Sequence, residues 1–77
     1  MSRKKTDEQL RVDEQIGRRI EGLRKARSMS AVDLSRELGI GRSRLYSYES
    51  GKSACPAALL AKIAAALDVG VGFLLKR

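Results

Sequence analysis

Gly39 separates two short helical patterns, and that break constrains the fold of this chain more than any other feature. Before it, Leu34 and Leu38 stand four apart and give one apolar helix face, and a glycine can end such a helix in the left-handed conformation without steric cost. After it, Leu45 and Tyr48 restart an apolar face at a spacing of three. The first helix has a marked start as well: Ser30 can cap it, Asp33 completes an approximate capping box, and Met29 can pack on Leu34 as a hydrophobic staple. The spacing therefore predicts helix, turn and helix between Ser30 and Lys52. The second helix turns Arg42, Ser43, Tyr46, Ser47 and Ser50 away from its apolar side.

Charge says what such a surface would meet. Lys and Arg number 16 against 9 Asp and Glu, a formal net charge of +7 with no histidine. A basic, outward-facing second helix makes double-stranded DNA the leading partner. The lesser alternative is a basic amphipathic helix lying on lipid, since no long apolar segment exists to span a membrane. With 77 residues there is room for one small domain, which argues against a large catalytic cleft. No enzyme is expected, because the acids show no paired pattern and Cys55 has no base. Cys55 also has no second thiol or histidine near it, so no metal or cofactor is implied, and it reads as a small apolar residue in a reducing compartment. The basic N-terminus has no apolar segment behind it, so no targeting signal is read and a cytoplasmic location is expected.

The rest of the chain is helical by pattern, which makes the fold class all-α. Ser2 to Lys5 form a short basic arm, residues 1–5, and residues 6–77 form the domain. Thr6 with Gln9 makes a capping box, and Val12, Ile16, Ile20 and Leu23 then recur as a helical stripe that should reach about Arg27. Gly17 and Gly22 weaken this helix by roughly 1 kcal/mol each, and Gly17 marks either close packing or a frayed first half. Pro56 suits the first turn of a further helix whose buried face is Leu59, Leu60, Ile63 and Leu67. The apolar tail from Val69 to Leu75 closes the core or forms a dimer seam, and both can be true of different residues.

From about Ile16 to Leu75 the sequence resembles the DNA-binding domain of phage repressors and Cro proteins, the Cro/C1-type helix-turn-helix family also named after the xenobiotic response element regulators. The residues that carry the likeness are Ile16 to Ile20, Leu23-Arg24, Met29-Ser30, Leu34, Leu38 to Ile40, Leu45, Tyr48 to Lys52, Ile63-Ala64, Leu67, Val69 and Phe73-Leu74. The resemblance implies a compact five-helix, lambda-repressor-like domain and a recognition helix that begins at Arg42. It also implies a symmetric homodimer on its operator in a prokaryotic or phage setting, and a partly buried ion pair between Arg24 and Glu49. Two positions depart from the family pattern. Ala31 and Arg42 stand where glutamine is usual, and arginine suits guanine where glutamine suits adenine.

On that resemblance Arg42, Ser43, Tyr46 and Ser47 are the base-contacting candidates. Arg42 either grips guanine or meets phosphate or solvent, the two serines either touch bases or make room, and Tyr46 meets a thymine methyl or a phosphate. Ser30 and Ala31, and then Ser50, Gly51 and Lys52, lie where the family sets main-chain N–H groups against phosphate. Arg44 reaches backbone or groove. Arg3, Lys4 and Lys5 either reach the DNA backbone or form an idle basic tail. Val71, Phe73, Leu74 and Leu75 are the expected dimer interface. Together these suggest a sequence-specific transcriptional regulator, most simply a repressor on a palindromic operator. The alternative is an antitoxin or adaptor whose main partner is another protein, for which only the Val71 to Leu75 tail offers a surface.

Overall fold

In the computed structural model residues 6–76 are described, so Arg3, Lys4 and Lys5 lie outside the described residues. Five helices follow one another: α1 (Asp7–Ala26), α2 (Ala31–Leu38), α3 (Arg42–Glu49), α4 (Ala57–Ala66) and α5 (Val71–Leu75). Their ends are set largely by local chemistry. Both capping boxes form, Thr6 with Gln9 and Ser30 with Asp33, each exchanging side-chain and main-chain hydrogen bonds of 3.0 to 3.3 Å. Gly39 closes α2 at φ 70° in the left-handed region. Pro56 is the N-cap of α4 and stands one position ahead of the first turn assigned to it from the sequence. Two helix ends have no glycine: Ser28 (φ 54°) follows α1 and Asp68 (φ 58°) follows α4, and neither turn was legible as such.

Each helix contributes at least one side chain to a single core. Ile20 of α1, Leu34 of α2, Leu45 of α3, Ile63 of α4, Leu67 just after it and Leu74 of α5 are fully buried. Ile16, Leu23, Met29, Leu59 and Val71 pack against them at the edge. No helix could keep its apolar stripe dry alone, and short ones such as α2, α3 and α5 depend on this shared burial for their stability.

The predicted α1 stripe holds only in part. Val12 is 40% exposed, because the first turns of the 20-residue α1 overhang the domain and the helix meets its neighbours only from about Asp13 onward. Gly17 is where α3 arrives: a methyl group there would run into the main-chain carbonyl oxygens of Tyr48 and Glu49. Of the two readings of Gly17, close packing is the one observed.

The C-terminal segment also corrects an expectation. Leu74, placed in a dimer seam from the sequence, is fully buried in the protomer's own core, and Val71 is half-buried against that core. A five-residue helix with one inward face can bury only part of its apolar content, so Phe73 and Leu75 stay exposed at 43% and 49%. Arg19 ties α5 down by donating from Nη1 to the Leu74 carbonyl at 3.0 Å. Among the described residues no helix is long and apolar enough to cross a membrane.

Cys55 sits half-buried at the edge of the core. Burial, helped by the nearby Asp13 carboxylate, pushes its thiol up to about 11. About one thiol in a thousand is then ionised at pH 8, and the thiolate is the nucleophile. Alkylation by iodoacetamide at pH 8 is therefore expected to run about 100-fold slower in the folded protein than in urea, and to quicken as pH rises toward 11. Equal rates in the two states would show that the thiol is not shielded.

Candidate nucleic-acid interface

α3 has little apolar surface with which to hold itself in place. Only Leu45 and Tyr48 face inward as hydrophobic side chains, and Glu49 is buried beside them. The missing grip comes from α1. Arg24 donates from Nε to Glu49 Oε2 at 2.7 Å and from Nη2 to Glu49 Oε1 at 3.0 Å, and it reaches the Met29 carbonyl from Nη1 at 3.1 Å. Both side chains are almost wholly out of solvent. The bidentate bond to Glu49 raises the Arg24 guanidinium above its already high ordinary value, against the opposing effect of burial. One buried pair thus joins the end of α3, the last turns of α1 and the approach to α2. No buried side-chain polar atom among the described residues is left without a partner.

With its inner side fixed, α3 turns Arg42, Ser43 and Tyr46 outward as exposed side chains and Ser47 as a half-exposed one. At about 100° per residue, Ser43 and Ser47 form the crest opposite Leu45 and Tyr48. Tyr46 lies on the flank toward α1, in a groove shared with Glu14, Arg18 and Glu21. Arg44 lies on the other flank, beside Pro56, Leu59 and Lys62. Its Nε donates to the Tyr48 hydroxyl at 2.9 Å, and its guanidinium stands 6.0 Å from the centroid of the Tyr48 ring. That bond was not anticipated, although the four-residue spacing of the pair is the signal that could have found it.

The main-chain candidates look different once their hydrogen bonds are followed. The Ser50 N–H donates to Tyr46 O at 2.9 Å, Gly51 N–H to Tyr48 O at 3.2 Å, and Lys52 N–H to the Ser50 hydroxyl at 3.4 Å. These groups already have acceptors inside the protein, so they are not the open N–H cradle expected at Ser50, Gly51 and Lys52. Gly51 departs furthest, being buried at φ +80° against α1, where a methyl would lie 2.8 Å from the Glu14 main chain. The Ser50 hydroxyl likewise donates to Ser47 O at 3.2 Å, so what this loop offers a phosphate is the exposed Lys52 side chain. At the start of α2, Ser30 spends both its N–H and its hydroxyl in the capping box, and the Ala31 side chain is buried. A contact there would fall to main-chain N–H groups of the first turn.

Residues 20–74 match the Helix-turn-helix family HTH_3. The chain belongs to this Cro/C1-type family of DNA-binding transcription regulators. It is 35% identical to the N-terminal DNA-binding domain of SinR from Bacillus subtilis, with a TM-score of 0.74 over 83% of this chain and 94% of that one. The restriction-modification controller protein C.AhdI from Aeromonas hydrophila is 30% identical, with a TM-score of 0.75 over 79% and 92%. SinR in complex with DNA, described as a master regulator for biofilm formation, gives 37% identity and a TM-score of 0.73 over 79% and 98%. The chain spans 61% of SinR as found in the SinR–SinI complex. No curated protein matches the sequence. The likeness to these family members in the five-helix arrangement identifies α2 and α3 as the helix-turn-helix.

Proposed function

We propose that the protein is a sequence-specific transcriptional repressor that binds a palindromic operator on double-stranded DNA as a homodimer, with α3 reading bases in the major groove. The observation that carries this reading is the Arg24–Glu49 pair, which fixes a helix whose outward face is polar and basic. Rigidity matters here because base readout needs donors held in a fixed position relative to the duplex. Arg42, Ser43, Tyr46 and Ser47 are the base readers. Lys52 grips the backbone through its side chain, and the first turn of α2 does so through its main chain. The basic arm Arg3, Lys4 and Lys5 adds sequence-independent attraction. One α3 covers only a few base pairs, so a second copy on a half-site about 34 Å away supplies the remaining specificity. Phe73 and Leu75, the expected dimer residues left exposed, are offered for that contact, with half-buried Val71 at its edge.

Selection of bound sites from a random duplex library should return an inverted repeat. On that operator Arg42→Ala is expected to lose about 1–3 kcal/mol and to relax the preference at one base position per half-site, while scarcely changing binding to scrambled DNA. Lys52→Ala should weaken both duplexes alike and reduce the salt slope by about one for each phosphate it no longer neutralises. Selection that returns no motif would end the proposal. A motif without symmetry would end the dimer, and equal losses on both duplexes for Arg42→Ala would move specificity to Ser43, Tyr46, Ser47 or DNA shape.

A further inference from the structure

We propose that Tyr48, a core residue, is a positioning residue for DNA-backbone contact: its hydroxyl fixes Arg44 so that the free edge of the guanidinium meets a phosphate beside the major groove. The inference rests on the DNA-binding reading above and assigns one flank of α3 within it.

The two flanks of α3 differ in charge. On the α1 side, the groove holding Tyr46 is lined by Glu14 and Glu21 beside Arg18, with Glu21 paired to Lys25 and the buried Glu49 neutralised by Arg24, so acids and cations there balance. On the α4 side, the described residues that line the groove holding Arg44 include Lys62 and apolar side chains and no acid. A polyanion rim is therefore favoured by the second flank, which carries cations without acids, over the first, where the charges cancel. Position on the helix agrees with charge. Ser43 and Ser47 occupy the crest that comes nearest the base edges, and a residue turned from the crest toward Tyr48 faces the sugar-phosphate wall.

Arg44 is held for that contact. A free arginine on a surface helix samples many rotamers and must be ordered when it binds. Here Tyr48 is only 5% exposed, so its ring is immobilised in the protein and its hydroxyl is a fixed acceptor for Arg44 Nε at 2.9 Å. A guanidinium has five N–H donors in one plane, so engaging Nε leaves four on the two Nη nitrogens. Among the described residues neither Nη nitrogen has a hydrogen-bond partner. An anchored guanidinium with its Nη groups open and an acid-free surrounding is suited to a phosphate oxygen pair, which arginine can bind with two parallel bonds.

The test uses the full chain, its selected operator duplex and a scrambled duplex of equal length, titrated between about 50 and 200 mM salt. Tyr48→Phe keeps the buried ring and deletes only the hydroxyl. It is expected to weaken both duplexes by the same factor, about three- to tenfold at low salt, and to lower the magnitude of the log affinity against log salt slope by up to about 0.9, the value for one phosphate. Arg44→Ala should show the full loss, and adding Tyr48→Phe to it should change nothing further. Arg44→Lys keeps the charge and removes the Nε donor without touching the core, so it reads the same coupling independently of folding: it should weaken both duplexes and be insensitive to Tyr48→Phe. The proposal is overturned if Tyr48→Phe leaves binding and slope unchanged, if its effect persists in full on top of Arg44→Ala, or if it weakens the operator alone. A wild-type protein that binds neither duplex would instead refute the DNA-binding reading itself.

Discussion

Glu49→Gln is expected to cost about 3–5 kcal/mol of stability, because it strands the Arg24 guanidinium without its counter-charge in a site almost closed to water. Arginine cannot escape by giving up its proton, so the penalty is not relieved by a pH change in the accessible range. For a domain of this size such a loss lowers the melting temperature by more than about 12 °C. Operator affinity should fall with it, since Glu49 terminates α3 and the pair is what sets that helix against α1. Replacing both partners with apolar residues of similar volume, Arg24→Met with Glu49→Leu, should recover much of the stability, because no buried charge is then left unmatched. Thermal unfolding and operator titration of the single and double variants measure both effects. A Glu49→Gln protein with wild-type melting temperature and affinity would show that the pair contributes nothing.

The second large effect belongs to Gly17. Alanine is normally the better helix residue, and at Gly22, where a methyl would meet nothing within 4 Å, Gly→Ala should stabilise by about 0.5–1 kcal/mol. At Gly17 the same substitution should carry the opposite sign. Its methyl would strike the carbonyl oxygens of Tyr48 and Glu49, which are main-chain atoms and cannot turn aside as a side chain can. Relief requires α1 and α3 to separate, which loosens the Arg24–Glu49 bonds further along α1, so the cost should be about 1–3 kcal/mol or more. Chemical denaturation of the two variants side by side removes helix propensity from the comparison. If both stabilise by similar amounts, the contact at Gly17 is not a tight one.

Helix ends closed by local chemistry could be read from the residues alone. Thr6 with Gln9 and Ser30 with Asp33 cap their helices using only residues three apart, and Gly39 stops α2 because it can take a positive φ at no cost. The periodicities of Leu34 with Leu38, and of Leu60, Ile63 and Leu67, likewise placed the inner faces, since a helix buries what recurs along one side. Membership of the Cro/C1-type family was legible too, in the joint spacing of residues from Ile16 to Leu75. Other features took their character from how the helices meet. Whether Gly17 was a weak point or a contact depended on α3 arriving there, and nothing in α1 itself says so. Val12 looked buried by spacing and is exposed because the overhanging turns of α1 have little to pack against, while Leu74 looked available for a partner and is consumed by the core. The N–H groups of Ser50, Gly51 and Lys52 were assigned outward, and the fold of the loop turned them back onto acceptors within the protein. Local signals fix what a residue can do with neighbours three or four positions away, whereas which surface remains open depends on elements far apart in the chain coming together.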